Sequence, residues 1–249
     1  FMKTFNYHSA KDVKEASKLS SSNSAFLAGG MTTIPSMKLG LASYKDLINL
    51  KNIKGLSGIK VSGKTVKIGS TTKHVEVAQS KEIKKAIPSL AALADGIGDP
   101  QVRNRGTIGG SIANNDPAAD YPSACIALNA MIITNNRKVI ADKFFRGMFE
   151  TCLKKTEVIE AIEFEIPQKS NYQKLPNPAS RYAVVGVYVV KGLLGFKNTP
   201  VPFGVDHVTL VAEPPNAPLR ETIPVSHIVV SFPALTEGEV FTVASIVGI

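Results

Sequence analysis

Hydrophobic residues recur along the first 190 residues with two periods, one typical of helices and the other of strands. Over residues 9–20, apolar residues spaced three apart predict an amphipathic helix with Ser9 as its N-cap. The β-branched run AVVGVYVV at 183–190 predicts a strand. By the same patterns we predict further helices within 32–42, 71–80, 87–98 and 117–130, and further strands within 2–7, 25–30, 45–50 and 157–167.

Two hairpins interrupt this alternation and decide the predicted fold class. The segment 56–70 is predicted to turn at Ser62-Gly63-Lys64, and the segment 130–143 is predicted to turn at Asn135-Asn136. Because hairpins join antiparallel strands, the pattern favours an α+β protein with mixed sheets over a doubly wound parallel sheet.

The composition is that of a folded protein. The chain has 249 residues, of which 44% are hydrophobic and 20% charged, so it can bury a core and does not resemble a disordered chain. No apolar run approaches the roughly eighteen residues of a membrane helix, and the N-terminal residues lack the apolar stretch of a signal peptide. We therefore expect a cytoplasmic protein without a membrane span.

Charge and cysteine content narrow the candidate ligands. The formal net charge is +9, but the aromatic content is only 7% and the lysines are dispersed, so we expect a solvated basic surface and no nucleic-acid partner. The two cysteines form no CxxC motif, and the four histidines are scattered. Thiols of this chain alone therefore cannot build an iron–sulfur or zinc site, and no metal site is predicted.

Two glycine-rich stretches are the strongest signs of a ligand. They are LAGGMTTIP at 27–35 and RGTIGGS at 105–111. Glycines let backbone N–H groups approach a ligand, and successive N–H groups in turns form concave nests for anions. Two such nests can bind a diphosphate, although ordinary tight turns remain an alternative for each. Neither stretch contains the GxGxxG fingerprint of a Rossmann fold.

The second stretch is followed by NNDPAADYP at 114–122. Carboxylates suit hydroxyl groups or a ring N–H better than they suit phosphate. A ligand with both a diphosphate and a polyol, such as FAD, fits this combination. The alternative is that Asp116 and Asp120 are simply helix N-caps, because prolines typical of helix starts lie beside them.

Three segments together resemble the FAD-binding medium subunit of the molybdenum hydroxylases, the group that includes xanthine dehydrogenase and aerobic carbon monoxide dehydrogenase. They are LAGGMTTIPSMKLGLA, IGDPQVRNRGTIGGSIANNDPAADYP and EVIEAIEFEIP, and the resemblance covers about residues 2–190. It implies a vanillyl-alcohol-oxidase-type FAD-binding domain in which two lobes, at 1–55 and 56–170, clasp an extended FAD. A C-terminal segment follows at 171–249.

The resemblance also implies which residues bind FAD, and it assigns no catalytic residue to this chain. Residues of the first glycine stretch match one pyrophosphate loop, and residues of the second match the other. Val158 and Ile159 match a strand that approaches the flavin ring, and Tyr182 falls where some members place an aromatic residue against it. The implied FAD-binding residues are Ala28, Gly29, Gly30, Met31, Thr32, Thr33, Ile34, Thr107, Ile108, Gly109, Gly110, Ser111, Asn115, Asp116, Asp120, Val158, Ile159 and Tyr182.

The function implied by the resemblance is electron transfer within a complex. The chain would receive electrons from iron–sulfur clusters on a small partner subunit and pass them through FAD to an external acceptor. A large partner subunit would carry the molybdenum cofactor and oxidise the substrate. Two alternatives stay open, a truncated or misread remnant without function and a free-standing flavoprotein oxidase or reductase.

The resemblance ends where the composition changes. Residues 1–190 carry a net charge of +11, whereas residues 191–249 carry −2 and hold seven of the fifteen prolines. Apolar runs in this tail predict an atypical β-rich segment. A natural extension and an out-of-frame or chimeric translation both remain open as its origin.

Overall fold

The computed structural model describes residues 2–191 and 242–247, which form short helices and strands in mixed order. The helices are α1 Val13–Leu19, α2 Thr33–Lys38, α3 His74–Gln79, α4 Lys81–Ala86, α5 Pro88–Asp95, α6 Pro100–Arg105, α7 Ile108–Asn114, α8 Tyr121–Ala127 and α9 Ala141–Phe144. The strands are β1 Asn6–Ser9, β2 Ser24–Leu27, β3 Asp46–Asn49, β4 Ile59–Ser62, β5 Thr65–Gly69, β6 Met131–Thr134, β7 Lys138–Ile140, β8 Phe145–Gly147, β9 Glu150–Thr151, β10 Ile159–Glu165, β11 Lys169–Pro176, β12 Ala183–Lys191 and β13 Thr242–Val247. No helix among these residues is both long enough and apolar enough to cross a membrane.

The first sheet is a small parallel sheet in the order β1-β3-β2. Helix α1 follows β1, and its Ala16 is buried in a cluster with Ile48 of the central strand. The N-cap of this helix is Asp12, whose carboxylate accepts a 2.7 Å hydrogen bond from the Glu15 N–H. The predicted cap, Ser9, is wrong because Ser9 still belongs to strand β1.

The second sheet has five antiparallel strands in the order β4-β5-β10-β6-β7. Both predicted hairpins are present in it. Gly63 turns the first with a φ of +57°, a value that glycine adopts without strain. In the second, the Thr134 hydroxyl accepts from the Arg137 N–H across Asn135 and Asn136, which closes the turn locally.

The main core lies between this second sheet and the helices from α3 to α8. Val66, Ile68 and Ile162 of the sheet are fully buried against apolar side chains of these helices, such as Leu90 and Ile112. Burial of large aliphatic side chains contributes about 1.5–3 kcal/mol each relative to exposure, so this core supplies the main stabilisation of the described chain.

A third sheet, in the antiparallel order β11-β12-β13, packs on α5 and α8. Tyr188 of β12 is fully buried, and its hydroxyl lies 2.6 Å from that of Ser89 on α5. Apart from Lys191 and β13, the predicted β-rich tail lies outside the described residues.

The α+β class is confirmed, but the expectation of mixed sheets is wrong for residues 2–191 and 242–247, where each sheet is either wholly parallel or wholly antiparallel. The pattern also missed α4, α6 and α7. Helices α4 and α6 are short and show few apolar positions, while α7 begins within the glycine-rich stretch 105–111, which is interpreted above as a turn. The division into lobes at residue 55 and at residue 170 stays a prediction.

Candidate functional site

A cleft of about 490 Å³ lies where four connecting segments meet. These are the β2–α2 loop, the β5–α3 connection, the junction of α6 with α7, and the turn between α7 and α8. Residues 157–159 and 180–182 complete its wall. The first sheet and the second sheet both contribute, so residues that are distant in sequence face one space.

The first glycine stretch is a true turn that offers unpaired donors. Gly30 has a φ of +72°, which a residue with a side chain adopts only under strain. The N–H groups of Gly30, Met31 and Thr32 make no hydrogen bond to another described residue. The Thr32 and Thr33 hydroxyls are likewise unpaired within the described chain. This loop therefore presents free N–H and O–H donors to the cleft, as an anion site requires.

The second glycine stretch is predicted as a turn, but in the structure it contains the end of helix α6 and the start of helix α7. Its N–H groups are already used within the protein: Ile108 donates to the Thr72 carbonyl at 3.1 Å, and Gly109 donates to the Ser70 carbonyl at 2.8 Å. The Thr107 hydroxyl caps the helix by accepting from the Gly110 N–H at 3.2 Å. The prediction of a second nest of free N–H groups is therefore wrong for these three donors.

The glycines of the second stretch instead permit close backbone contacts. A Cβ on Gly109 would lie 2.6 Å from the Ser70 carbonyl oxygen, and one on Gly106 would lie 2.6 Å from the His74 ring. A Cβ on Gly29, in the first loop, would lie 2.3 Å from the Arg105 carbonyl oxygen. The two glycine stretches thus touch each other directly, which brings the free donors of the first loop beside helix α7.

A wall of the cleft that the sequence analysis missed follows strand β5. Ser70, Thr71 and His74 all line the cleft and are nearly fully buried. The Ser70 Oγ, Thr71 Oγ1 and His74 Nδ1 atoms are buried without a hydrogen-bond partner among the described residues. Leaving a buried polar group unpaired costs about 1–3 kcal/mol, so three such atoms at one wall fit a polar ligand in the cleft. The hydroxyl-rich run GSTTKH directly after a buried strand was the available signal.

The ionisation of His74 is set by this wall. Burial, and secondarily the positive charge of Arg103, lower the pKa of His74 to about 4. The imidazole is therefore neutral at physiological pH and offers one donor and one acceptor rather than a positive charge. It supports polar contacts without adding charge to the site.

The two aspartates after α7 differ in their roles. Asp116 accepts from the Ala118 N–H at 2.9 Å and so stabilises a turn at the cleft rim rather than capping a helix. Asp120 precedes α8 but makes no capping bond. Its carboxylate instead accepts from the Tyr172 hydroxyl at 2.5 Å and lies 2.9 Å from the Lys174 ammonium. Burial raises the pKa of Asp120, and these two donors oppose that shift.

Val158 and Ile159 line the cleft beside an ion pair whose carboxylate, that of Glu157, is buried and whose guanidinium, that of Arg137, is partly exposed. Glu157 accepts from the Arg137 Nε at 2.8 Å and from the Thr134 hydroxyl at 2.8 Å. Burial alone raises the pKa of Glu157, but these hydrogen bonds and one from the Lys154 N–H outweigh it and lower the pKa to about 2. The ionised carboxylate fixes the start of β10.

Tyr182 covers the cleft from the side of the third sheet. It is 45% exposed, and burial, together with the charges of Asp116 and Asp120, raises the pKa of its hydroxyl. Tyr182 follows Arg181, a residue with a φ of +60°, where the chain turns from the β11–β12 connection into the strand. An aromatic ring at this rim can lie against a planar ligand.

The structure places most of the predicted binding residues on the cleft. Those that line it are Ala28, Gly29, Gly30, Met31, Thr32, Thr33, Thr107, Gly109, Gly110, Ser111, Asp116, Asp120, Val158, Ile159 and Tyr182. Ile34, Ile108 and Asn115 are not among the lining residues. Ile108 is fully buried in the core, and the Asn115 amide donates to the Gly147 and Glu150 carbonyls, so these two residues hold neighbouring elements.

Comparison with known proteins agrees with this arrangement. A family model described as the FAD binding domain in molybdopterin dehydrogenase matches residues 3–169. The carbon monoxide dehydrogenase medium chain of Hydrogenophaga pseudoflava is 38% identical over 198 residues, which cover 75% of this chain and 68% of that protein. The glyceraldehyde dehydrogenase medium chain of Sulfolobus acidocaldarius is 36% identical over 199 residues, which cover 77% of this chain and 71% of that protein.

Solved structures support the same assignment. Carbon monoxide dehydrogenase from Hydrogenophaga pseudoflava superposes with a TM-score of 0.74 at 38% identity, covering 78% of this chain and 71% of that chain. Quinoline 2-oxidoreductase from Pseudomonas putida superposes with the same TM-score of 0.74 at 25% identity. The resemblance seen in the motifs is confirmed, and so is FAD as the cofactor. The chain belongs to the FAD-binding medium subunits of the molybdenum hydroxylases, a family of FAD-dependent oxidoreductase subunits.

Proposed function

We propose that this chain binds FAD in the cleft and serves as the electron-transfer subunit of a molybdenum hydroxylase. The observation that carries the proposal is the convergence of unpaired polar groups on one space. Free N–H groups of the first glycine loop face it from one side, and the unpaired Ser70, Thr71 and His74 atoms face it from another.

Each part of the cleft suits a different part of FAD. The loop at Gly30 and Met31 suits the diphosphate, because it offers N–H donors without a competing carboxylate. Asp120 suits a ribityl hydroxyl or a ring N–H, because its carboxylate is an acceptor only. Val158, Ile159 and Tyr182 offer the apolar and aromatic surface that the isoalloxazine needs. Bound FAD would supply the electron acceptance and release, while the protein would bind and orient it.

The proposal also includes the two lobes of this chain and the partner subunits with which it would form a complex. The parallel first sheet and the antiparallel second sheet would act as two lobes that clasp the extended cofactor. Electrons would come from iron–sulfur clusters on a small partner subunit, and a large partner subunit would carry the molybdenum cofactor. The relatives named as medium chains support this three-part organisation, since a medium chain is one subunit of several.

Titration of the flavin-free chain with FAD tests the proposal, with flavin fluorescence as the readout. Replacing Asp120 with Asn should weaken FAD binding roughly tenfold, because the loss of a buried acceptor costs about 1–3 kcal/mol. Asp95→Asn is the matched control. Asp95 is 74% exposed and does not line the cleft, so its replacement should leave the affinity unchanged.

The results of these measurements distinguish the proposed function from its two alternatives. Stoichiometric binding that depends on Asp120 but not on Asp95 supports the proposal. A folded chain that takes up no FAD contradicts it and favours the remnant without function. Substrate oxidation by the flavin-loaded chain without partner subunits would favour the free-standing oxidase.

A further inference from the structure

We propose that Tyr172 is a positioning residue that orients the Asp120 carboxylate toward FAD. The glycine at position 186 leaves the space that the Tyr172 side chain needs. The inference rests on the proposed function. It concerns residues beyond position 169, where the family match ends, and so extends the FAD site into the β11–β12 hairpin.

Two side chains of strand β11 hold the Asp120 carboxylate, with one hydrogen bond to each oxygen. Its Oδ1 atom accepts from the Tyr172 hydroxyl at 2.5 Å and lies 2.9 Å from the Lys174 Nζ. Its Oδ2 atom accepts from the same Nζ at 3.1 Å. A carboxylate has about four acceptor positions. Strand β11 therefore holds both oxygens, and the acceptor positions that it leaves are available to a ligand in the cleft that Asp120 lines.

The ammonium group of Lys174 is itself held in place. Its side chain is only 8% exposed, and it donates to the Gly96 carbonyl at the end of α5 at 3.0 Å. Lys174 therefore neutralises the charge of Asp120 from a position near both oxygens, while the Tyr172 hydroxyl bonds to Oδ1 alone and so defines the rotation of the carboxylate. A charged acceptor with restricted rotation is preorganised, which favours binding because the cost of ordering this side chain is largely removed.

Gly186 provides the space that this bond requires. Tyr172 lies on β11, and Gly186 lies on the neighbouring strand β12, opposite Lys174. A Cβ on Gly186 would lie 2.7 Å from the Tyr172 hydroxyl and 3.4 Å from its ring. Glycine normally weakens the interior of a strand, so its presence here marks a close approach, in this case of the Tyr172 side chain.

The position of Asp120 indicates which half of FAD it contacts. Asp120 and Tyr182 both line the cleft, and Tyr182 immediately precedes strand β12, the neighbour of the strand that holds Asp120. The remaining acceptor positions of Asp120 are therefore assigned to the ribityl–isoalloxazine half, and binding of ADP, which lacks that half, should not depend on them.

A double-mutant cycle on FAD affinity tests the assignment. Tyr172→Phe removes only the hydroxyl and should weaken FAD binding about tenfold. The double variant Tyr172→Phe/Asp120→Asn should bind FAD no more weakly than Asp120→Asn, because Tyr172 acts through that carboxylate. Gly186→Ala should reproduce the loss caused by Tyr172→Phe. Competition by ADP should be unchanged in all of them.

Tyr188→Phe is the matched control, since Tyr188 is a neighbouring buried tyrosine whose hydroxyl bonds to Ser89 rather than to Asp120. It should lower the melting temperature of the flavin-free chain without changing FAD affinity. The positioning role would be overturned if Tyr172→Phe bound FAD as tightly as the wild-type chain. It would also be overturned if the losses of binding free energy from the two single substitutions added up in the double variant. Because FAD binding by the unchanged chain is measured alongside, failure of the proposed function would be recognised separately.

Discussion

At the scale of single residues, the neighbouring glycines Gly109 and Gly110 of the second stretch have different roles. Gly109 is buried against Ser70, where any Cβ would meet backbone, whereas Gly110 is exposed at the cleft and its Cβ would meet only the Thr107 hydroxyl at 3.0 Å. A clash with backbone atoms is harder to relieve than a clash with a side chain, because a side chain can change its rotamer. The sequence motif alone does not distinguish the two glycines.

This contrast makes a prediction about Gly109→Ala and Gly110→Ala. The first should lower the free energy of unfolding by about 1–3 kcal/mol, the usual cost of forcing extra atoms into a packed site. The second should fold with nearly unchanged stability but bind FAD more weakly, because its methyl group enters the cleft. Urea unfolding and FAD titration on both variants check this. A stable Gly109→Ala chain would contradict the close contact with Ser70.

At the scale of elements, the ion pair of Glu157 and Arg137 joins strand β10 to the β6–β7 hairpin. The Arg137 guanidinium also donates to the Cys152 carbonyl at 2.6 Å, so one side chain fixes three segments beside the cleft. The side chain of Glu157 is fully buried, and its removal would leave the Arg137 charge without its partner. The entry of β10 into the site therefore depends on this pair.

The pair predicts a specific loss of stability in acid. The pKa of Glu157 is lowered from 4.5 to about 2 in the folded chain, so its contribution is present above pH 4.5 and is lost as the pH falls toward 2. We expect a contribution of about 2 kcal/mol, reduced because solvent reaches Arg137. Unfolding free energies of the unchanged chain and of Glu157→Gln, measured between pH 6 and pH 2, should converge as the pH falls. A constant difference would contradict the lowered pKa.

At the scale of the whole molecule, the cleft is built from segments of two sheets and several helices, so a ligand there links distant parts of the chain. Binding to the folded state alone stabilises a protein by about 2.7 kcal/mol at a ligand concentration one hundred times the dissociation constant. FAD binding at the unpaired donors of the cleft should therefore raise the free energy of unfolding of the whole chain.

For a chain of this size, that free energy corresponds to a rise of about 5–10 °C in melting temperature. We expect this rise with FAD and a smaller one with riboflavin, which lacks the diphosphate that the first glycine loop would bind. Differential scanning fluorimetry read through an external dye, with both ligands at equal concentration, measures it. Equal shifts for the two ligands would contradict the diphosphate role of the Gly30–Thr32 loop.

Local chemistry made much of the fold predictable. The hairpin turns at Gly63 and Asn135 depend on residues within the turn itself, and both were predicted correctly. The strand at 183–190 and the helix starting near Val13 follow from hydrophobic spacing. Helix α7 was missed because its two glycines lower helix propensity, which tertiary contacts override here. Helix α6 was missed because its sequence, PQVRNR, shows no helical spacing of apolar residues.

The sequence by itself determined the family, the α+β class and most of the segments that meet at the cleft, because these depend on motif identity and on local periodicity. Only the tertiary structure decided which polar groups are free to bind a ligand. It showed that the backbone N–H groups of Ile108 and Gly109 are already paired, whereas the side-chain Oγ of Ser70 and Nδ1 of His74 have no partner among the described residues. The bond from Tyr172 to Asp120 joins residues 52 positions apart. Hydrogen bonding is exclusive, so a donor's availability depends on every neighbour that the fold brings to it.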